Sequence, residues 1–141
     1  MYAAEESVIG LVGRRLRRWT EVQAFLEGVL TDPSYLDAFP DAPLDVHLDR
    51  RSRSATASVA VPAQRTILIR DGSWNALTLL HELAHLVSPD PEPHGPDFTA
   101  TELLLIRRFC GFDAYATLRS AFVDAGVAIA DHPLASRQAP D

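Results

Sequence analysis

The sequence predicts an α+β single domain, helical at both ends with a small sheet in sequence between them. Apolar residues recur at helical spacing near the N-terminus and again after residue 96. Short stretches between Leu44 and Arg70 alternate or run β-branched instead, the signature of strands. With 141 residues, 47% hydrophobic and 23% charged, the chain has the makings of one ordinary core.

From Ala3 to Arg18, Val8, Leu11, Val12 and Leu16 predict an amphipathic helix. Thr20 followed by Gln23 reads as a capping box opening a second helix through Val22, Phe25, Leu26, Val29 and Leu30, and Asp32-Pro33 ends it. After the turn-rich Pro40 to Pro43, Leu44, Val46 and Leu48 alternate with Asp45, His47 and Asp49, predicting a half-buried strand with His47 on its exposed face. Two further strands are expected at Ala55 to Val61 and Arg65 to Arg70, turning near Pro62 and Ala63. Asp71-Gly72 closes the last, and Ser73 is the expected cap of the next helix. Phe98 to Cys110 and Asp113 to Asp124 read as helices closed by Gly111 and Gly126. The domain is expected to span residues 1–129. Residues 130–141 have little periodicity and read as a loosely held tail.

The chemistry concentrates in Leu79-Leu80-His81-Glu82-Leu83-Ala84-His85-Leu86, an HExxH run without Pro or Gly. On a helix, His81 and His85 share a face and can present both imidazoles to one metal ion. Glu82 projects beside it, placed to take a proton from a water that the metal activates. The same helix is apolar around most of its circumference and is expected to be buried, so its polar sector must face a cleft or partners.

A catalytic zinc site takes three protein ligands. His94 follows the stiff Pro89-Asp90-Pro91-Glu92-Pro93 segment, which forces the chain to turn and can return it to the metal. Glu102 is the competitor, on a helix face with Phe98, Leu105, Ile106 and Phe109, an odd place for an unpaired carboxylate. His94 is the preferred third ligand, and Glu102 either ligates or accepts the free N–H of a ligating His. Asp90 and Asp97 are weaker candidates, Asp97 reading more simply as a first-turn helix acid.

His81-Glu82-Leu83-Ala84-His85 followed by His94-Gly95-Pro96-Asp97-Phe98 resembles a family of small HExxH zinc metallohydrolases from actinobacteria and their phages. The opening Met1-Tyr2-Ala3-Ala4-Glu5 is similar to it as well, and SprT-like metalloproteases are similar more distantly. The resemblance implies a zincin-like fold with His81, His85 and His94 as metal ligands and Glu82 as general base. It also implies that the strand before the metal helix, Thr66-Ile67-Leu68-Ile69, borders the cleft, where a free edge would take an extended peptide. The chain has no metzincin spacing after His85, and its single cysteine rules out the Cys-rich zinc ribbon of many SprT-like proteins.

That cysteine, Cys110, also excludes an internal disulfide and reads as a core residue. No apolar stretch approaches membrane-spanning length and Glu5-Glu6 opens the chain, so a cytoplasmic protein without a membrane partner is expected. A net charge of −6 argues against general nucleic-acid binding. Arg14, Arg15, Arg17 and Arg18, and again Arg50, Arg51 and Arg53, form local basic clusters that read as solvated faces, with a limited anionic partner kept open. The function expected is Zn2+-dependent hydrolysis of a peptide or protein substrate. Alternatives are a non-catalytic or regulatory zinc-binding protein and a protease specific for one co-encoded partner. Tyr115, Arg119 and His132 are candidate oxyanion donors. No oligomeric state is specified.

Overall fold

A computed structural model describes residues 2–88 and 94–131. It is an α+β single domain of helices around a small sheet. The expectations for Asp90, for His132 and for most of the 130–141 tail lie outside the described residues. Ala130 itself is tied down, its N–H donating to Pro96 O at 3.1 Å.

Helix α1 runs from Tyr2 to Val12, shorter than the apolar spacing predicts. Gly13 is the reason: a Cβ there would stand 2.4 Å from Ile9 O and 2.7 Å from Asn75 Nδ2. Beyond Gly13 the chain is extended and pairs with the segment before the HExxH helix. Leu16 N donates to Trp74 O at 2.9 Å, and Ala76 N to Arg14 O at 2.8 Å. Leu16 is therefore buried, as its hydrophobicity demands, but by strand-like pairing and not by a helix face.

Helix α2, Trp19–Leu30, begins at Trp19 with Arg18 extended before it. Arg18 makes no side-chain cap, so the Thr20–Gln23 capping box does not form. Its apolar face, Val22, Leu26 and Val29, is buried as expected. Asp32-Pro33 ends α2 and at once opens an unexpected short helix, α3, Pro33–Ala38. There Asp32 caps through Ser34 N at 2.8 Å, and Pro33 takes the first turn, where no N–H is needed.

The sheet contains β1, His47–Arg51, β2, Val59–Val61, and β3, Thr66–Arg70, in the order β1-β3-β2. β1 is parallel to β3, with His47 opposite Thr66, and β2 is antiparallel to it, with Val59 opposite Leu68. β3 is thus the central strand, burying Ile67 and Ile69. This corrects the expectation of a free edge at Thr66–Ile69: both edges are occupied. β1 begins later than the alternation at Leu44 suggests, because Leu44 is 59% exposed and pairing starts at His47 N to Arg65 O, 2.8 Å. β2 is only the end of the expected strand. Residues 52–58 loop out, with Ser58 Oγ accepting from Arg70 N at 2.8 Å and Ala55 O from Arg70 Nε at 2.7 Å.

Helix α4, Ala76–Val87, carries the motif. Its cap is Asn75, whose side chain accepts from Leu77 N at 2.8 Å; Ser73, the expected cap, instead accepts from Arg70 Nη1. Leu79, Leu80 and Leu83 of α4 are fully buried. Helices α5, Pro96–Cys110, and α6, Phe112–Asp124, complete the fold, with Gly111 at φ 96° between them, a conformation open to glycine. α4 packs on the sheet and on α5, α5 on α6, and α6 on α1. Cys110 is half-buried, and burial pushes its thiol up to about 11. No helix among the described residues is long and apolar enough to cross a membrane.

Candidate metal centre

The helical spacing of the motif puts His81 and His85 one turn apart on α4, and α5 starts by turning back toward them. His94 stands just before that helix in the left-handed region, φ 62°. For a residue with a Cβ this conformation costs about 1–2 kcal/mol, so the fold has to hold it there. Its effect is to deliver His94 Nε2 to 3.2 Å from His81 Nε2 and 3.1 Å from His85 Nε2. A tetrahedral zinc at about 2.0–2.1 Å from each nitrogen needs neighbouring nitrogens about 3.3–3.4 Å apart. The two distances to His94 are close to that spacing, and the ligand atoms of the three imidazoles all lie within 4.8 Å of one another, a group able to hold one ion.

Phe98, one turn into α5, is the common wall. Its ring stacks on His85 at 4.3 Å between centroids and meets His81 and His94 edgewise at 5.1 and 5.0 Å. It is 1% exposed.

The far nitrogen of His81 is held from two sides. Glu102 Oε2, fully buried on α5, lies 2.7 Å from Nδ1. Glu5 Oε2, on α1, lies 2.7 Å from the same atom. Glu102 therefore sits where it accepts the Nδ1–H of His81, and it is not part of the three-histidine group. Glu5 was not singled out by the sequence reading. The signal was present: Glu5, Val8, Ile9 and Val12 form an i, i+3, i+4, i+7 series, which puts a carboxylate on the apolar face of its helix.

The electrostatics follow from this crowding. Burial depresses the His81 imidazole, but the Glu102 and Glu5 carboxylates more than offset it and raise it to about 10. Burial, against the pull of His81 and with Glu5 alongside, raises Glu102 to about 8. His85 goes the other way, to about 4, through burial and the positive charges of His81 and His94. His94 is lowered for the same two leading reasons, burial and His81. Glu5 Oε1 and Glu102 Oε1 are buried with no hydrogen-bond partner among the described residues. Two buried carboxylates behind one imidazole, with two more imidazoles kept neutral beside it, suit a dication better than a single proton.

Glu82 points into a cleft of about 640 Å³, whose walls include Glu5, Glu6, Asn75, Thr78 and His81. Burial raises its carboxyl, opposed by His81. Tyr115 and Arg119 line a different cavity, with Arg107 and Asp131, so neither reaches this cleft as an oxyanion donor. His47 is exposed on β1 and joins no ligand group among the described residues, and Asp97 lies exposed in the first turn of α5. No protein-family model, curated protein or solved structure matches this chain, and the geometry of the imidazoles and carboxylates carries the functional reading.

Proposed function

We propose that this chain is a zincin-like, zinc-dependent hydrolase acting on a peptide bond, and that it works in the cytoplasm. The observation that carries the reading is the convergence of His81 and His85 on His94, whose Nε2 stands 3.2 and 3.1 Å from theirs, with Glu82 opening into the adjacent cleft. His81, His85 and His94 would hold the ion. Bound there, zinc would supply a Lewis acid that polarises a carbonyl and lowers the pKa of a water toward neutrality.

The chain's own residues do the rest. Glu82, its carboxyl raised by burial, takes the water's proton and returns it to the leaving amine. Glu102 and Glu5 accept at His81 Nδ1, fixing the tautomer so that Nε2 faces the ion. Phe98 holds the three rings in position and keeps water from their outer side. Three histidines leave a four-coordinate ion one position for water, as catalysis requires. Glu102 is occupied at Nδ1 and does not fill that position, which favours a catalytic over a closed structural site.

The test is elemental analysis and a peptide-library assay on wild type, His94→Ala, Glu102→Ala and Glu82→Gln. One zinc per chain is expected in wild type, lost in His94→Ala and kept in Glu102→Ala. Glu82→Gln should keep the metal and lose about 10²–10⁴-fold in kcat. Absence of zinc from the wild type after zinc is supplied overturns the reading. So does full activity in Glu82→Gln.

A further inference from the structure

Next to the Glu82 cleft lies a second cavity, of about 490 Å³, whose walls include Arg15, Arg17, Arg50, Arg53, Asp71 and Trp74. The two cavities share Arg15, Gly72 and Trp74 in their walls and so lie side by side. In a chain of net charge −6, this concentration of guanidinium groups is a local reversal of sign.

The four arginines do not have the same standing. Arg50 is committed: it chelates Asp71 through Nε at 3.0 Å and Nη2 at 3.1 Å. Its guanidinium also lies over Trp74 at 5.1 Å and over Trp19 at 5.8 Å. It builds the floor. Arg15, Arg17 and Arg53 form no ion pair among the described residues. Arg53 lies across the Asp71-Gly72 turn, where a Cβ on Gly72 would stand 3.3 Å from its guanidinium carbon. Trp74 Nε1, on the shared wall, is buried with no acceptor among the described residues, an unsatisfied donor at the junction. Every cation here is a guanidinium, whose planar fork suits carboxylate and phosphate oxygens.

We infer that the arginine-lined cavity takes an oxyanion, carboxylate or phosphate, carried by the substrate on one side of the bond presented to Glu82. This rests on the hydrolase reading of the neighbouring site. The combined surface is mixed in charge, richest in arginines around the first cavity, with Glu5, Glu6 and Glu82 beside Arg15 and Arg70 around the second. A polyanion laid along it would meet carboxylates beyond the arginines. A peptide with one acidic group and a neutral remainder meets only attraction, which favours a peptide over nucleic acid.

Trp19 and Trp74, the chain's two tryptophans, lie 5.5 Å apart beside this cavity, so intrinsic fluorescence reports its occupancy without any turnover. The zinc-supplied protein is titrated with a neutral hexapeptide carrying a single Asp, with its Asn and phosphoserine counterparts, and with a single-stranded oligonucleotide. A saturable change in emission is expected at least tenfold tighter for Asp or phosphoserine than for Asn, and the stronger of the two identifies the group. Arg15→Ala and Arg53→Ala, both exposed and without an ion pair among the described residues, should each weaken it about tenfold, and Arg18→Ala, outside the cavity, should not. Equal binding of the Asp, phosphoserine and Asn peptides, or unchanged binding in both arginine variants, overturns the assignment. So does tight, salt-sensitive binding of the oligonucleotide alone. Cleavage that ignores substrate charge, without a fluorescence response, removes the subsite and leaves the hydrolase. Charge-dependent binding without cleavage of any peptide does the reverse.

Discussion

Glu5 and Glu102 approach one atom, Nδ1 of His81, from opposite helices, each with its Oε2 at 2.7 Å. The N-terminal helix is thereby part of the candidate metal centre, although more than seventy residues separate Glu5 from the motif. One N–H cannot serve two acceptors fully. Either carboxylate alone suffices to orient the ring, and together they set the charge behind it.

Substituting these carboxylates singly and together should be non-additive. Glu5→Gln or Glu102→Gln alone should weaken zinc binding by less than about threefold, and the double variant by about 10–100-fold, more than the product of the two. Competition titration against a chromophoric chelator measures all three. Additive losses would mean that the two carboxylates act on separate groups.

Zinc uptake should release about one to two protons per chain at pH 7, from His81 Nε2 and from Glu102, which burial raises to about 8. His81 sits near 10 in the metal-free chain and must lose its Nε2 proton to ligate, while His85, near 4, has none to lose. Apparent affinity should therefore rise with pH, by about tenfold per unit, up to the His81 value. Calorimetry in buffers of different ionisation enthalpy gives the proton count. A pH-independent affinity would contradict the protonated state of His81.

The metal-free chain should lose stability as pH falls from 6.5 toward 4. The folded pKa of His85 lies below its unfolded value, so unfolding takes up a proton in that window and the contribution present above pH 6.5 disappears through it. Thermal melts of wild type and His85→Gln should separate as pH falls from 6.5 to 4, because the neutral amide takes up no proton on unfolding. Parallel curves would place the transition on other groups.

Gly13→Ala should destabilise the fold by about 1–3 kcal/mol, because the added carbon meets Ile9 O at 2.4 Å and Asn75 Nδ2 at 2.7 Å. Asn75→Ala, which removes the cap of α4 and the side chain packed against Gly13, should cost about 0.5–2 kcal/mol. Urea unfolding distinguishes them, and a neutral Gly13→Ala would show that the extended segment after α1 yields freely.

The residues that meet at His81 were partly legible in the sequence and partly not, for physical reasons. His81, His85 and Glu82 are fixed by helical period alone, and His94 by the proline-rich stop before it. Glu102 stood out as a charge on an apolar face. Glu5 obeys the same rule but sits beside Glu6 on a short helix, where one acid reads as solvated. Boundaries shifted where tertiary contacts override local preference. Gly13 cuts α1 to meet Asn75, Asn75 displaces Ser73 as the cap, and pairing on both sides makes Thr66–Arg70 central. Strand order is a non-local property that alternation cannot encode. The arginine cavity was visible only as two separate clusters, since residues 15–17 and 50–53 meet through folding.

Phe98 gives the centre a vulnerability of its own. Because a single ring touches all three imidazoles, they behave as one mechanical unit, and a displacement of α5 reaches every ligand at once. The geometry that would hold a metal can therefore be lost with each histidine still in place, through the loss of one hydrocarbon surface beside the three rings.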